Sequence, residues 1–263
     1  MLDSSRIDRA IASGDAARID AVIRDIDAQL GSSIDSSTAV GLLLNKAVLY
    51  ERTGRFSEAN AHVDLALAQQ PGSRDVQFQC AYLKASIAHQ QGQVAEAFEQ
   101  HTSLLHKYAD ELASEQYRFV YQDIQQQRAI EAAHLLKADE AIPLFHEILN
   151  YDLVPEERAV ALANVGILYS KRHRYDSAAQ YLSEACKMVL DKEWRGHAHF
   201  HLAIALTHLG ELERAKEELL YCERNSSELG LNLKKIYAWR AAVSEKLGEQ
   251  LESALYRGLA NPL

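Results

Sequence analysis

The chain is poor in proline, modest in glycine and almost without cysteine: four, twelve and three residues of 263. So few breakers leave no linker-rich segment, and nothing along the sequence marks a domain boundary. Cys80, Cys186 and Cys222 are odd in number, far apart and never in a CxxC pair. Each falls in a helical apolar pattern, which points to buried free thiols in a reducing compartment. No stretch approaches the roughly 18 apolar residues of a membrane span. The N-terminal MLDSSRIDRAIASGD lacks a charged-then-apolar leader, so a cytoplasmic protein is expected. Basic runs are missing, and the net charge of -9 argues against nucleic acid or an anionic membrane as partner.

Enzyme signatures are missing as well. There is no phosphate-cradling glycine loop and no GxSxG. The single HE pair, His146-Glu147, lacks the second histidine of a zinc protease. No catalytic residue, cofactor or metal is expected.

What the chain does have is 48% apolar and 25% charged residues, the balance of a folded protein. Its length exceeds the usual single core. Stacked repeats escape that limit, because each contacts only its neighbours. The clearest pattern is Leu162 to Ala185, LANVGILYSKRHRYDSAAQYLSEA. Small residues at Gly166, Ala178 and Ala185 mark a close approach of two helices. Leu162, Val165, Tyr169, Tyr175 and Leu182 supply the apolar faces, and Lys171 to Arg174 form a polar break. Each half has one apolar face at helical period, so neither stands alone in water.

The pattern recurs. Ala47, Tyr50, Gly54, Phe56, Ala59, Ala66 and Pro71 fall in one register. Ala85, Gly92, Val94, Ala97 and Leu104 follow, then Ala129, Ala138, Ala141, Phe145 and Ile148, where Leu136 takes the turn-glycine place. In the opening stretch His173 takes that place. Leu202, Ala203, Gly210, Leu212, Ala215, Leu219 and Cys222 make a fifth copy. A sixth, with Ala241 and Gly248, decays towards Gly258 and Pro262. This order of small residue, tyrosine, turn glycine, aromatic, alanines and closing proline resembles the tetratricopeptide-repeat family. The alanines at 59, 97, 141, 178 and 215 step by more than the family's common 34 or so residues. Such steps look like the kinesin light chain, MalT-type and Rap-type branches. The long second step, from Ala97 to Ala141, predicts an extended first helix from about Glu111 to Leu135.

The resemblance implies an all-α, right-handed superhelical solenoid of about six helix pairs. Residues 1–36 would form an atypical N-terminal capping pair, and 37–263 the array, with repeats at about 38–72, 74–109, 112–152, 156–191, 194–228 and 231–260. Within the cap, Gly14-Asp15 reads as a helix end and a new start, and Ser36 or Ser37 as the next N-cap. By the same resemblance, first helices line a concave groove. Leu44, Asn45, Val48, Tyr82, His89, Gln126, Ile130, Asn164, Ile167 and Ser170 would face it, then His197, Phe200, His201, Ile204 and Trp239. Apolar platforms beside amides suit a protein or peptide segment, since an asparagine amide both donates to and accepts from a peptide unit. The carboxylate clamp of the chaperone-binding branch is not expected, because Leu44 and Val48 are apolar where it needs basic and amide groups.

His197, His201 and His208 share one helix face and allow two readings: a zinc or nickel pair at His197 and His201, or a polar lining whose charge changes near neutral pH. The second is favoured, since no acidic or cysteine ligand accompanies them. The function expected is thus a non-enzymatic protein- or peptide-binding adaptor. A bacterial peptide-signal receptor of the Rap-like class is the alternative, against which stands the absence of a helix-turn-helix domain and an N-terminal bundle. Unpaired terminal helix faces also allow self-association.

Overall fold

The structure, a computed structural model, describes residues 4–70, 72–135, 137–188 and 191–261. Pro71, Leu136 and Pro262, singled out above as repeat landmarks, lie outside the described residues. All regular structure among the described residues is helical.

Two compact units divide the chain after Leu135. The first holds α1 (Ser4–Ser13), α2 (Ala16–Leu30), α3 (Ser36–Arg52), α4 (Phe56–Gln69), α5 (Arg74–Gln90), α6 (Val94–Lys107), the short α7 (Ala109–Leu112) and α8 (Arg118–His134). The second holds α9 (Ala138–Ile148), α10 (Pro155–Lys171), α11 (Tyr175–Ala185), α12 (Lys192–Leu209), α13 (Leu212–Arg224), α14 (Leu233–Lys246) and α15 (Gln250–Ala260). Within each unit consecutive helices pack against each other as antiparallel pairs, α3 with α4, α5 with α6, α10 with α11, α12 with α13 and α14 with α15.

Local chemistry sets the helix limits. Asp15, Asp35, Ser73, Asp191 and Asn232 cap helix starts, each accepting a backbone N–H of the first turn. The cap of α3 is therefore Asp35 and neither Ser36 nor Ser37, because the aspartate carboxylate also takes the Thr38 hydroxyl. Between paired helices the chain reverses through one left-handed residue: Gly54, Gly92, Gly210 and Gly248, and His173 at φ 58°. His173 is the one non-glycine at positive φ among the described residues, and it stands where the pattern calls for glycine.

The alanines at 59, 97, 141, 178 and 215 have no exposed surface, so each marks the seam between the two helices of its pair. In α15 Ser253 takes this place, and its hydroxyl donates to the Ala241 carbonyl of α14. At Gly166 an added Cβ would lie 2.5 Å from the Leu182 side chain, which is the close approach expected of α10 and α11. In the second unit a large core cluster is centred on Leu162, Leu182, Leu202, Leu206, Leu219 and Val243. The first unit divides its apolar residues between clusters under α1–α3, α3–α5 and α5–α8.

The extended helix expected over residues 111–135 does not form. The segment breaks after α7 into a turn of 3-10 helix at Glu115–Tyr117, then restarts at Arg118. Ser114 ends α7 by turning its hydroxyl back onto the Glu111 carbonyl at 2.7 Å. Tyr117 is held outside any long helix, edge-on to Phe78 with its hydroxyl donating to Asp75. Phe119, in the first turn of α8, is 77% exposed.

Candidate functional site

In the first unit α3, α5 and α8 are joined side by side through polar groups. Ser86 and Gln90 of α5 donate to Glu51 of α3. Burial raises the Glu51 carboxyl, with the Ser86 bond opposing. Tyr82 donates to Asp123 of α8 at 2.6 Å, and burial beside that carboxylate raises the phenol. Deeper in, Glu131 of α8 is fully buried and takes Nδ1 of both His89 (2.8 Å) and His101 (3.0 Å). Burial pushes the Glu131 carboxyl up, but its bonds to the two imidazoles outweigh that and hold it below its ordinary range. Asn45, Val48, Gln126 and Ile130 are half-buried on these helices. Leu44 is buried in the core and presents almost no surface to a partner.

The second unit gathers more of the expected residues. His197, Phe200 and His201 of α12 line a cavity of about 300 Å³, closed by Gly230, Leu231 and Asn232 and by Lys235 and Ile236 at the start of α14. Among the described residues no acidic side chain lines it. Asn232 caps α14 there, so the positive end of that helix adds to the Lys235 ammonium. Burial, reinforced by Lys171, His197 and Lys235, pushes His201 down to about 4. It is therefore neutral at neutral pH, and its Nδ1 is buried with no partner. The expectation of a charge change near neutral pH is corrected at this histidine: the ring is too enclosed to charge there.

His208 takes no part in this cavity. Its ring stacks on Tyr175 at 4.0 Å and meets Trp239 edge-on. Among the described residues no group of three histidine, cysteine, aspartate or glutamate side chains is placed to hold a metal ion. Ile167, Phe200 and Trp239 pack against the core from its margin, and Ile204 is half-buried. Asn164 is buried, and its amide donates to the Val160 carbonyl of its own helix at 3.1 Å, so it is occupied locally. Ser170 is likewise buried.

Lys235 and Ile236 escaped the sequence reading, although Asn232 as an N-cap would have placed both in the first turn of α14. The Glu131 carboxylate also escaped it, since one acid in an alanine-rich helix face gives no periodic signal.

Antiparallel helix pairs with buried alanines in one register, repeated through both units, define a helical-repeat protein. No known family model matches the sequence, and no curated protein is similar enough to count as a match. Solved structures do match. A tetratricopeptide-repeat protein from Parabacteroides merdae is 18% identical, with 97% of this chain and 92% of that one covered at a TM-score of 0.56. The C-terminal part of a repeat-containing protein from Cytophaga hutchinsonii is 12% identical, covering 98% and 94% at 0.63. The apo form of RapI is 10% identical, covering 98% and 75% at 0.70. The fold of this chain is the tetratricopeptide-repeat fold.

Proposed function

We propose that the chain is a non-enzymatic scaffold that holds a segment of a partner protein on the first-helix face of its second unit. The observation that carries this reading is the cavity at His197, Phe200, His201 and Lys235. Residues expected from sequence to face a partner meet there in an open recess with an apolar floor and a cationic rim. Its size is at the lower end of ligand pockets, suited to one or two side chains of a bound segment. The lining selects an apolar side chain next to an acidic group or a free carbonyl. Phe200, Leu231 and Ile236 would cover the first, and Lys235 with His197 would meet the second.

Affinity capture from native lysate compares the wild type with a Phe200→Ala, Lys235→Glu variant of unchanged helicity and melting. A protein retained by the wild type and lost from the variant supports the reading. Equal retention by both places binding elsewhere and overturns it.

A further inference from the structure

In the first unit the repeat is interrupted between α6 and α8. α4 passes to α5 through a short loop, whereas α7 and the 3-10 turn at Glu115–Tyr117 are inserted between α6 and α8. α7 touches both of those helices, and its Leu112 is buried in one cluster with Phe78, Tyr108 and Ile124. Its Ala109 and Ala113, one turn apart, stay exposed. Between these small residues and the helices α6 and α8 lies a cavity of about 500 Å³. Leu105, Leu112 and Tyr121 supply its apolar walls, and Thr102, His106 and Arg128 its polar groups.

Arg128 stands in this cavity as a cation without an acid. Its Nε donates to Thr102 Oγ1 at 3.0 Å and its Nη1 to Gln125 Oε1 at 3.3 Å, both neutral oxygens. The guanidinium carbon lies 5.6 Å from the centre of the Phe98 ring. Among the described residues no carboxylate pairs with it and none lines the cavity. Lys46, Arg55, Lys216 and Arg240, also partly or fully enclosed, each meet an aspartate or glutamate. Gln125 is buried, and its amide nitrogen donates in turn to the Tyr121 hydroxyl at 2.9 Å. The guanidinium is thus fixed in direction by groups that leave its charge unmatched, and Nη2 is left for a ligand.

We propose that this cavity binds a small amphipathic carboxylic acid. The apolar body of the acid lies against Leu105, Leu112 and Tyr121, and its carboxylate pairs with Arg128. A planar guanidinium matches a carboxylate in shape, and charge-assisted hydrogen bonds are stronger than those it makes to neutral oxygens. Partial enclosure strengthens the pair further, because less water screens it. The volume lies within the range of small-molecule sites, and apolar walls with one oriented polar group are the usual make-up of such sites. The site lies wholly in the first unit, so it stands or falls apart from the partner-binding reading of the second.

Calorimetric titration of the whole chain with octanoate, below its micelle-forming concentration, tests this against octanol, which has the same apolar body without the charge. The wild type is expected to bind octanoate saturably in the micromolar to millimolar range, at least about tenfold more tightly than octanol. Arg128→Gln should bring octanoate down to the level of octanol. Ala113→Phe, on the exposed rim, should fill the cavity and weaken both ligands while leaving Arg128 in place. Circular dichroism melts establish that each variant keeps the fold. Octanoate that fails to bind the wild type, or binds it no better than octanol, overturns the proposal. So does a preference for octanoate that survives Arg128→Gln, or octanoate binding that Ala113→Phe leaves unchanged.

Discussion

Single residues in this fold have their chemistry set by enclosure more than by type. His201 sits on a helix face that reads as a polar lining, yet burial under Phe200 and the start of α14 keeps it neutral. Its pKa falls from 6.5 to about 4 on folding. Between those values the unfolded chain takes up a proton that the folded chain refuses, so stability falls as pH drops through that window. The loss amounts to on the order of 2–3 kcal/mol. Urea midpoints at pH 7 and pH 4.5 should show it, and His201→Gln should lose less stability than the wild type over the same interval. Equal losses would mean that this ring is not enclosed in solution. Glu131 is the opposite case, a buried acid kept charged by two imidazoles. Glu131→Ala leaves His89 and His101 without their shared acceptor and should cost on the order of 2–4 kcal/mol at neutral pH, read as a lowered melting temperature.

At the level of helices, period and small residues were legible from the sequence, and interruptions were not. The alanine seam, the turn glycines and even His173 at a glycine place follow from apolar spacing, because a close helix pair tolerates only small side chains at its seam. The extended helix over 111–135 was inferred from the long step between Ala97 and Ala141, and a step length does not say whether the added residues continue one helix or break it. The break depends on a side-chain bond to the Glu111 carbonyl and on the docking of Tyr117 against Phe78, neither of which has a period. Two glycines test the packing. Gly166→Ala forces a Cβ into Leu182 and should destabilise by about 1–3 kcal/mol, less up to ~1 kcal/mol of recovered helix propensity. Gly41→Ala on α3 meets nothing within 4 Å and should stabilise by about 0.5–1 kcal/mol. Thermal melts of the two variants should shift in opposite directions. A stabilised Gly166→Ala would contradict the close approach of α10 and α11.

For the whole molecule, the candidate site was only half legible. The family resemblance named His197, Phe200 and His201 as groove residues, and they share a face of α12. Lys235 and Leu231 come from a different helix pair and its loop, and their meeting with α12 is a tertiary fact that no local pattern encodes. Asn164 is buried and its amide donates to the Val160 carbonyl of its own helix, a local contact that helical register alone does not reveal. Among the described residues no helix is long and apolar enough to cross a membrane. A scaffold role then rests on which face the partner touches. The most direct measurement is site-specific photo-crosslinking in the native cell extract, with a photoreactive phenylalanine at position 200 or, on the outer face of α13, at position 217. The account predicts a defined adduct with one partner from position 200 and none from position 217. No adduct at 200, or the same adduct from both positions, would contradict it.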